Sequence, residues 1–179
     1  MTTPTPRKPI TKANSAPRTT ARLAAVQALY EMEVAGKTGH EVVPRFVARG
    51  FAGALDQEDA TPADPHFFEQ LVLGVADEMP ALDRLLSDSL TPEGHLARLE
   101  VVLRAIMRLG AYELVAMTDV PARVVITEYV QLAEAFFSNR EPALVNGVLD
   151  RLARDVRAGE MASAATPPLD TATNGEPGT

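Results

Sequence analysis

The sequence contains no cysteine, no tryptophan and few other aromatic residues. Without cysteine the chain cannot form disulfides, thiolate metal sites or a cysteine nucleophile. It has no run of about 18 apolar residues, so no membrane span is expected. The polar N-terminus lacks the apolar segment of a secretory signal. These absences favour a cytoplasmic protein whose core is mainly aliphatic.

Catalytic patterns are also missing from the sequence. The three histidines, His40, His66 and His95, lie far apart and at predicted turns or helix starts, which is typical of solvated side chains rather than metal ligands. The neighbouring acids Asp77 and Glu78 do not share a helix face. There is no glycine-rich phosphate loop, and no serine follows the pattern of a nucleophile elbow. We therefore predict that the chain is not an enzyme and uses no metal and no cofactor.

Charge is distributed unevenly along the 179 residues. The net charge of −7 divides into +5 for residues 1–30, which contain no acid, and −12 for the remainder. An overall acidic chain would not be expected to bind nucleic acid, but a basic segment on an acidic body is a different case. The basic start of the chain is therefore either a solubilising tail or an arm that contacts a polyanion.

Apolar residues recur at helical spacing through most of the chain, and no segment alternates like a strand. The pattern predicts an all-α fold with six or seven helices in two packed bundles that share long central helices. Residues 1–18 are predicted to be a disordered basic arm, residues 19–157 the helical domain, and residues 158–179 a disordered tail, because both ends are rich in small and polar residues and proline.

Several local signals predict where individual helices begin and end. Thr19 or Thr20 can cap the first helix, and Gly36 can end it. Asp64 followed by Pro65 is typical of a helix start. Pro80 is expected to break or kink the third helix. Between Pro121 and the polar break at 138–141, the inward stripe is expected to consist of Val124, Val125, Glu128, Leu132, Ala135 and Phe136.

Five segments of the chain form a recognisable set, which in chain order is ARLAAVQALYEMEV, FFEQLVLGVADEMPALDRLL, LRAIMRLGAYEL, DVPARVVITEYVQLAEAF and LVNGVLDRLAR. Together these segments resemble the NusB family of transcription antitermination factors. The resemblance covers roughly residues 21–157. It implies binding of boxA RNA together with NusE, a small-subunit ribosomal protein, within an antitermination complex on RNA polymerase. The implied role is suppression of premature termination in ribosomal RNA operons.

The resemblance also implies a set of RNA-contacting residues, carried over position by position: Lys12, Arg18, Arg22, Tyr30, Arg104, Phe136 and Arg140. From the residues alone each has an alternative. Tyr30 lies on an apolar stripe and is either a core residue or a ring on which a base stacks. Arg22 offers a planar fork for phosphate or base edges. The loop around Arg140 is either a solvated turn or a binding loop.

Gly147 lies within a predicted helix, where glycine costs about 1 kcal/mol relative to alanine. The interpretation we favour is close packing against another helix, and the alternative is room for a nucleotide.

Two other functions stay open: a stand-alone RNA-binding domain related to accessory domains of RNA methyltransferases, and a protein–protein adaptor. Family members occur as monomers and as homodimers, and the sequence does not choose between these states.

Overall fold

The structure is a computed structural model that describes residues 15–51, 61–90 and 95–163. These ranges contain seven α-helices and one 3₁₀ turn, Leu96–Arg98, and they contain no strand. The helices are α1 (Ser15–Ala35), α2 (Gly39–Ala48), α3 (Pro65–Ser89), α4 (Val101–Ala116), α5 (Ala122–Phe136), α6 (Glu141–Val156) and α7 (Ala158–Ser163). The predicted all-α fold is confirmed.

Helix α4 lies at the centre and belongs to two bundles. In the first, α1, α2 and α3 pack together and α1 and α3 cover one side of α4; in the second, α5 and α6 cover the other side. Residues on all sides of α4 are buried, because neighbours surround the helix. Gly110 allows α6 to approach α4 closely, since a Cβ there would lie 2.7 Å from a methyl carbon of Leu149.

Side-chain pairs fix the relative directions of the helices. Arg22 near the start of α1 bonds Glu113 near the end of α4, and Glu33 near the end of α1 bonds Arg104 near the start of α4. Helix α1 is therefore antiparallel to α4. Helix α5 packs on α4 after a short connector and is also antiparallel to it. It follows that α1 and α5 run in roughly the same direction.

The helix boundaries agree with some local signals and correct others. Gly36 ends α1 with a φ of 63°, a left-handed conformation that favours glycine, and Asp64 caps α3 by accepting from the Phe67 amide at 3.0 Å. Helix α1 begins at Ser15 rather than after Thr19 or Thr20. The earlier start is stabilised because the carbonyl of Pro17 accepts a hydrogen bond from the Asp64 amide at 3.1 Å.

Pro80 does not break α3, which is one helix from Pro65 to Ser89. Proline costs the helix one backbone hydrogen bond at this position. Apolar residues on both sides of Pro80, such as Val75 and Leu82, are buried on the core face, and this tertiary packing offsets the missing bond. The exposed proline ring itself points away from the core.

Two further predictions of the sequence are wrong. The segment predicted as a disordered tail from residue 158 begins with α7, which packs on α6 and buries Met161. In α5, Val124 and Phe136 are exposed, and the inward positions are held instead by residues that include Ile126 and Tyr129.

Within the described ranges, no helix has the length and apolar character that crossing a membrane requires.

Candidate nucleic-acid interface

Arg22 is the centre of a buried network that joins α1, α4 and α5. Its side chain is only 3% exposed and forms a two-pronged pair with Glu113, which is fully buried, with one of these bonds at 3.0 Å. Arg22 Nη1 also donates to Glu128 at 3.0 Å, and the hydroxyl of Tyr129 donates to Glu113 at 2.9 Å. The guanidinium lies 5.1 Å from the ring centre of Phe67.

This environment favours the charged form of Arg22 inside the protein. Burial alone would lower the pKa of Arg22, but the hydrogen bond and charge of Glu113 outweigh burial and raise the pKa above its ordinary value. Burial also raises the pKa of Tyr129 well above 10, and the nearby charge of Glu113 adds to that shift. Arg22 and Tyr129 therefore both keep their protons throughout the neutral range.

The prediction that Arg22 offers its guanidinium to RNA is wrong for this structure. Its donors face Glu113 and Glu128 in the interior, so phosphate or base edges do not reach them. A buried arginine of this kind is accommodated because two carboxylates and hydrogen bonds compensate for the missing hydration. Arg22 therefore holds three helices together.

Arg18 lies one turn earlier and remains partly accessible, with 34% of its side chain exposed. Its guanidinium lies 4.8 Å from the ring centre of Phe67 and 3.8 Å from a carboxylate oxygen of Asp119. The Thr19 hydroxyl beside it donates to Glu128 at 2.7 Å. These contacts fix the first turn of α1, to which the basic residues 1–14 are attached. Lys12 lies outside the described residues.

Arg104, a further RNA candidate, takes part in a surface ion cluster. It pairs with Glu33 and donates to the carbonyl of Leu99, and its side chain is 13% exposed. Arg108 bonds the same Glu33 at 3.0 Å and holds Asp83 with two bonds at 2.8 and 2.9 Å. The cluster lines a groove of about 780 Å³. Arg104 is thus neutralised by protein partners rather than presented as a free cation.

Tyr30 and Phe136 are both exposed, at 45% and 42%. The interpretation that placed Tyr30 in the core is therefore wrong. Each ring lies eight residues beyond the Arg22–Glu128 bridge, which is about 12 Å along its helix. Because α1 and α5 run in roughly the same direction, the two rings lie at the same end of the protein.

Arg140 lies at that end as well, in the loop between α5 and α6, and it is exposed. The loop borders a groove of about 470 Å³, lined by Phe137, Ser138, Asn139, Pro142 and Asn146 among others. Gly147 follows on α6, and a Cβ placed there would meet no atom within 4 Å. The favoured explanation of Gly147 by close packing is therefore wrong, and this part of α6 has an open surface.

Sequence reasoning missed three buried polar residues: Glu113, Tyr129 and Arg157. Glu113 follows the apolar run of α4, and an acid at a core position is a signal that a buried cation faces it. Glu128 did fall on the predicted inward stripe, and it does bond Arg22.

The described residues contain no group of histidine, aspartate or glutamate side chains that could hold a metal ion.

A model of the NusB family matches residues 19–154, which is most of the chain. This chain belongs to the NusB family. The transcription antitermination protein NusB of Brucella anthropi is 48% identical over 154 residues, covering 86% of this chain and 90% of that protein. NusB of Sinorhizobium fredii is 45% identical over 150 residues, covering 84% and 92%. As a NusB-family member at this identity, the chain is a transcription antitermination factor.

Solved NusB structures share the fold. NusB of T. maritima superposes with a TM-score of 0.65 at 26% identity, covering 82% of this chain and 97% of that one. A crystal structure of the antitermination factors NusB and NusE with double-stranded RNA gives a TM-score of 0.63 at 23% identity, covering 76% of this chain and 96% of that NusB chain. The second likeness concerns the fold alone.

Proposed function

We propose that this NusB-family protein binds boxA RNA together with NusE and joins an antitermination complex on RNA polymerase, which suppresses premature termination in ribosomal RNA operons. The observation that carries the proposal is the exposure of Tyr30 and Phe136 at one end of the protein, beside the loop that holds Arg140. Exposed aromatic rings beside a cation are the elements that single-stranded RNA binding uses.

The proposed interface has two parts that are separated along α1. The first is the basic start of the chain, which comprises Lys12 in the arm that precedes Ser15 and the partly exposed Arg18 in the first turn of α1. The second is the aromatic end with Tyr30, Phe136 and Arg140. From Arg18 to Tyr30 is twelve residues, or about 18 Å along the helix. A bound RNA strand would have to span this distance. Arg22 and Arg104 act within the body in this proposal.

The partner surface is proposed from charge. Ribosomal proteins are usually basic, and the solvent-exposed surface of α3 carries acids that include Glu69, Asp77, Glu78 and Asp88. Complementary charge speeds association and selects partners. Replacing Asp77 and Glu78 by lysine should weaken NusE binding, measured by calorimetry on the purified proteins. Unchanged affinity would remove this side of α3 from the proposed interface.

A salt titration tests RNA binding directly. The affinity for boxA RNA and for a scrambled RNA of equal length is measured with and without NusE. With roughly 3–5 phosphate contacts, the logarithm of affinity should fall against the logarithm of salt concentration with a slope of about −2 to −3.5. We expect boxA to bind more tightly than scrambled RNA when NusE is present. Equal affinities for the two RNAs under that condition would contradict the proposal.

A further inference from the structure

Arg157, which follows α6 directly, is a buried arginine that the RNA-binding proposal does not use. Its side chain is 5% exposed. Its guanidinium donates to Leu114 O at 2.7 Å, Val120 O at 2.6 Å, Glu113 O at 3.0 Å, Met117 O at 2.9 Å and Glu160 Oε2 at 3.4 Å. These contacts account for all of the N–H donors of an arginine side chain.

These contacts satisfy the ends of two helices at once. Carbonyl groups at the end of a helix lack some of the amide donors that carbonyls in its interior have, and Arg157 supplies both further donors and a positive charge to the end of α4. Glu160 supplies the opposite charge to the start of α5, where it accepts from the Ala122 amide at 2.6 Å. We call Arg157, Glu160 and the buried Met161 the C-terminal clasp.

The clasp holds the same residues that anchor α1. Glu113 accepts from Arg157 through its backbone carbonyl and from Arg22 through its carboxylate. Asp119 lies in the sequence between Met117 and Val120, whose carbonyl oxygens accept hydrogen bonds from Arg157. The carboxylate of Asp119 itself lies 3.8 Å from the Arg18 guanidinium. The connector between α4 and α5 therefore contacts both Arg157 of the clasp and Arg18 in the first turn of α1.

We propose that the C-terminal clasp is a positioning device for RNA binding: Arg157 acts through the α4–α5 connector to fix the point at which the basic arm joins the body. This inference rests on the proposed RNA function. A fixed first turn of α1 holds Arg18 in place for RNA, and preorganisation of this kind lowers the cost of binding. Arg157 itself does not touch RNA.

A matched pair of arginine substitutions tests the clasp in the full chain. Arg157→Gln removes the guanidinium, and Arg154→Gln makes the same change three residues earlier, where the arginine is exposed and pairs with Asp150. Hydrogen exchange of the α1 amides from Thr19 to Arg22 is measured in each. We expect about fivefold or faster exchange in the Arg157 variant, since removal of one hydrogen bond already corresponds to such a factor. The Arg154 variant should match the parent protein.

The salt dependence of boxA binding separates positioning from a general decrease in stability. Unfolding of part of the sample lowers the measured affinity without changing the slope against salt. A displaced arm neutralises fewer phosphates, so the slope should become shallower by about 0.7 for each phosphate that the arm no longer reaches. We expect this change with Arg157→Gln and not with Arg154→Gln.

Unchanged α1 exchange and an unchanged salt slope in folded Arg157→Gln protein would overturn the proposal. If that variant does not fold, Glu160→Ala takes its place, because it removes only the cap on Ala122 and the outer end of the clasp. The same two outcomes then decide. If the parent protein shows no preference for boxA, the RNA function fails, while the exchange measurement still decides whether the clasp anchors α1.

Discussion

Replacement of Glu113 by glutamine is the sharpest test of the buried network. The substitution keeps the size of the side chain but removes the charge that faces Arg22, and it replaces one acceptor oxygen by an NH2 donor. Glu113 is fully buried and its partner side chain is 3% exposed, so water cannot replace the missing carboxylate. Glu128 remains as a second acceptor, 3.0 Å from Arg22 and 14% exposed.

The size of the effect follows from that burial. Breaking a buried ion pair on one side costs about 3–5 kcal/mol. Because Glu128 still neutralises part of the charge, we expect a decrease of about 3 kcal/mol in the free energy of unfolding. Domains of this size are stable by about 5–15 kcal/mol, so the variant should still fold. Glu33→Gln is the control, since Glu33 pairs with two arginines on the surface and such pairs contribute about 1 kcal/mol or less.

Urea unfolding followed by circular dichroism measures both variants. With a dependence of about 1–3 kcal/mol per molar urea, a decrease of about 3 kcal/mol lowers the midpoint by about 1–3 M. Glu33→Gln should leave the midpoint nearly unchanged. If Glu113→Gln is no less stable than Glu33→Gln, the description of the Arg22 network as the main tie between α1, α4 and α5 is refuted.

Three further substitutions have expected signs that the structure determines. Gly74→Ala should lower the free energy of unfolding by about 1–3 kcal/mol, because the new Cβ would lie 2.0 Å from Tyr112 Cζ; a variant as stable as the parent would contradict that contact. Gly147→Ala should raise it by about 0.5–1 kcal/mol in the same urea assay, because the position is open and helical, and a decrease would show hidden packing. Burial raises the pKa of Tyr129 above 10, so the unfolded chain loses a proton near pH 10 that the folded protein keeps. The free energy of unfolding should therefore fall as the pH rises above 10, by up to about 1.4 kcal/mol per pH unit. Tyr129→Phe should reduce this alkaline slope, and parallel curves for the two proteins would refute the assignment.

The helical architecture could be predicted from the sequence because it depends on local patterns. The spacing of apolar residues predicted the helices around α4, and the signals at Gly36 and at Asp64 with Pro65 marked the end of α1 and the start of α3. The break that was one of the two expectations for Pro80 is absent for a physical reason. The local cost of a proline is visible in the sequence, whereas the burial of residues on both sides of it depends on helices that are distant in the chain.

The buried ions could not be predicted in the same way. Arg22 looks like the last member of a basic arm, and its acceptors Glu113 and Glu128 lie 91 and 106 residues further along the chain. The clasp is hidden for a similar reason, since Arg157 bonds backbone carbonyls, which carry no sequence signature. Tyr30 occupies a core-like position in the helical pattern, but it is 45% exposed because none of the described helices covers its ring.

The central claim is that RNA meets the end of the protein that carries Tyr30, and a single fluorophore tests it. The chain has no tryptophan, so Tyr30→Trp adds one indole at a site that is 45% exposed. Val47→Trp is the control, at a similarly exposed site on α2, which packs mainly on α1 and α3. With NusE present, boxA RNA should quench the fluorescence of the indole at position 30 and leave that of the indole at position 47 unchanged. Equal quenching at both sites, or no quenching at position 30 with RNA bound, would contradict the account.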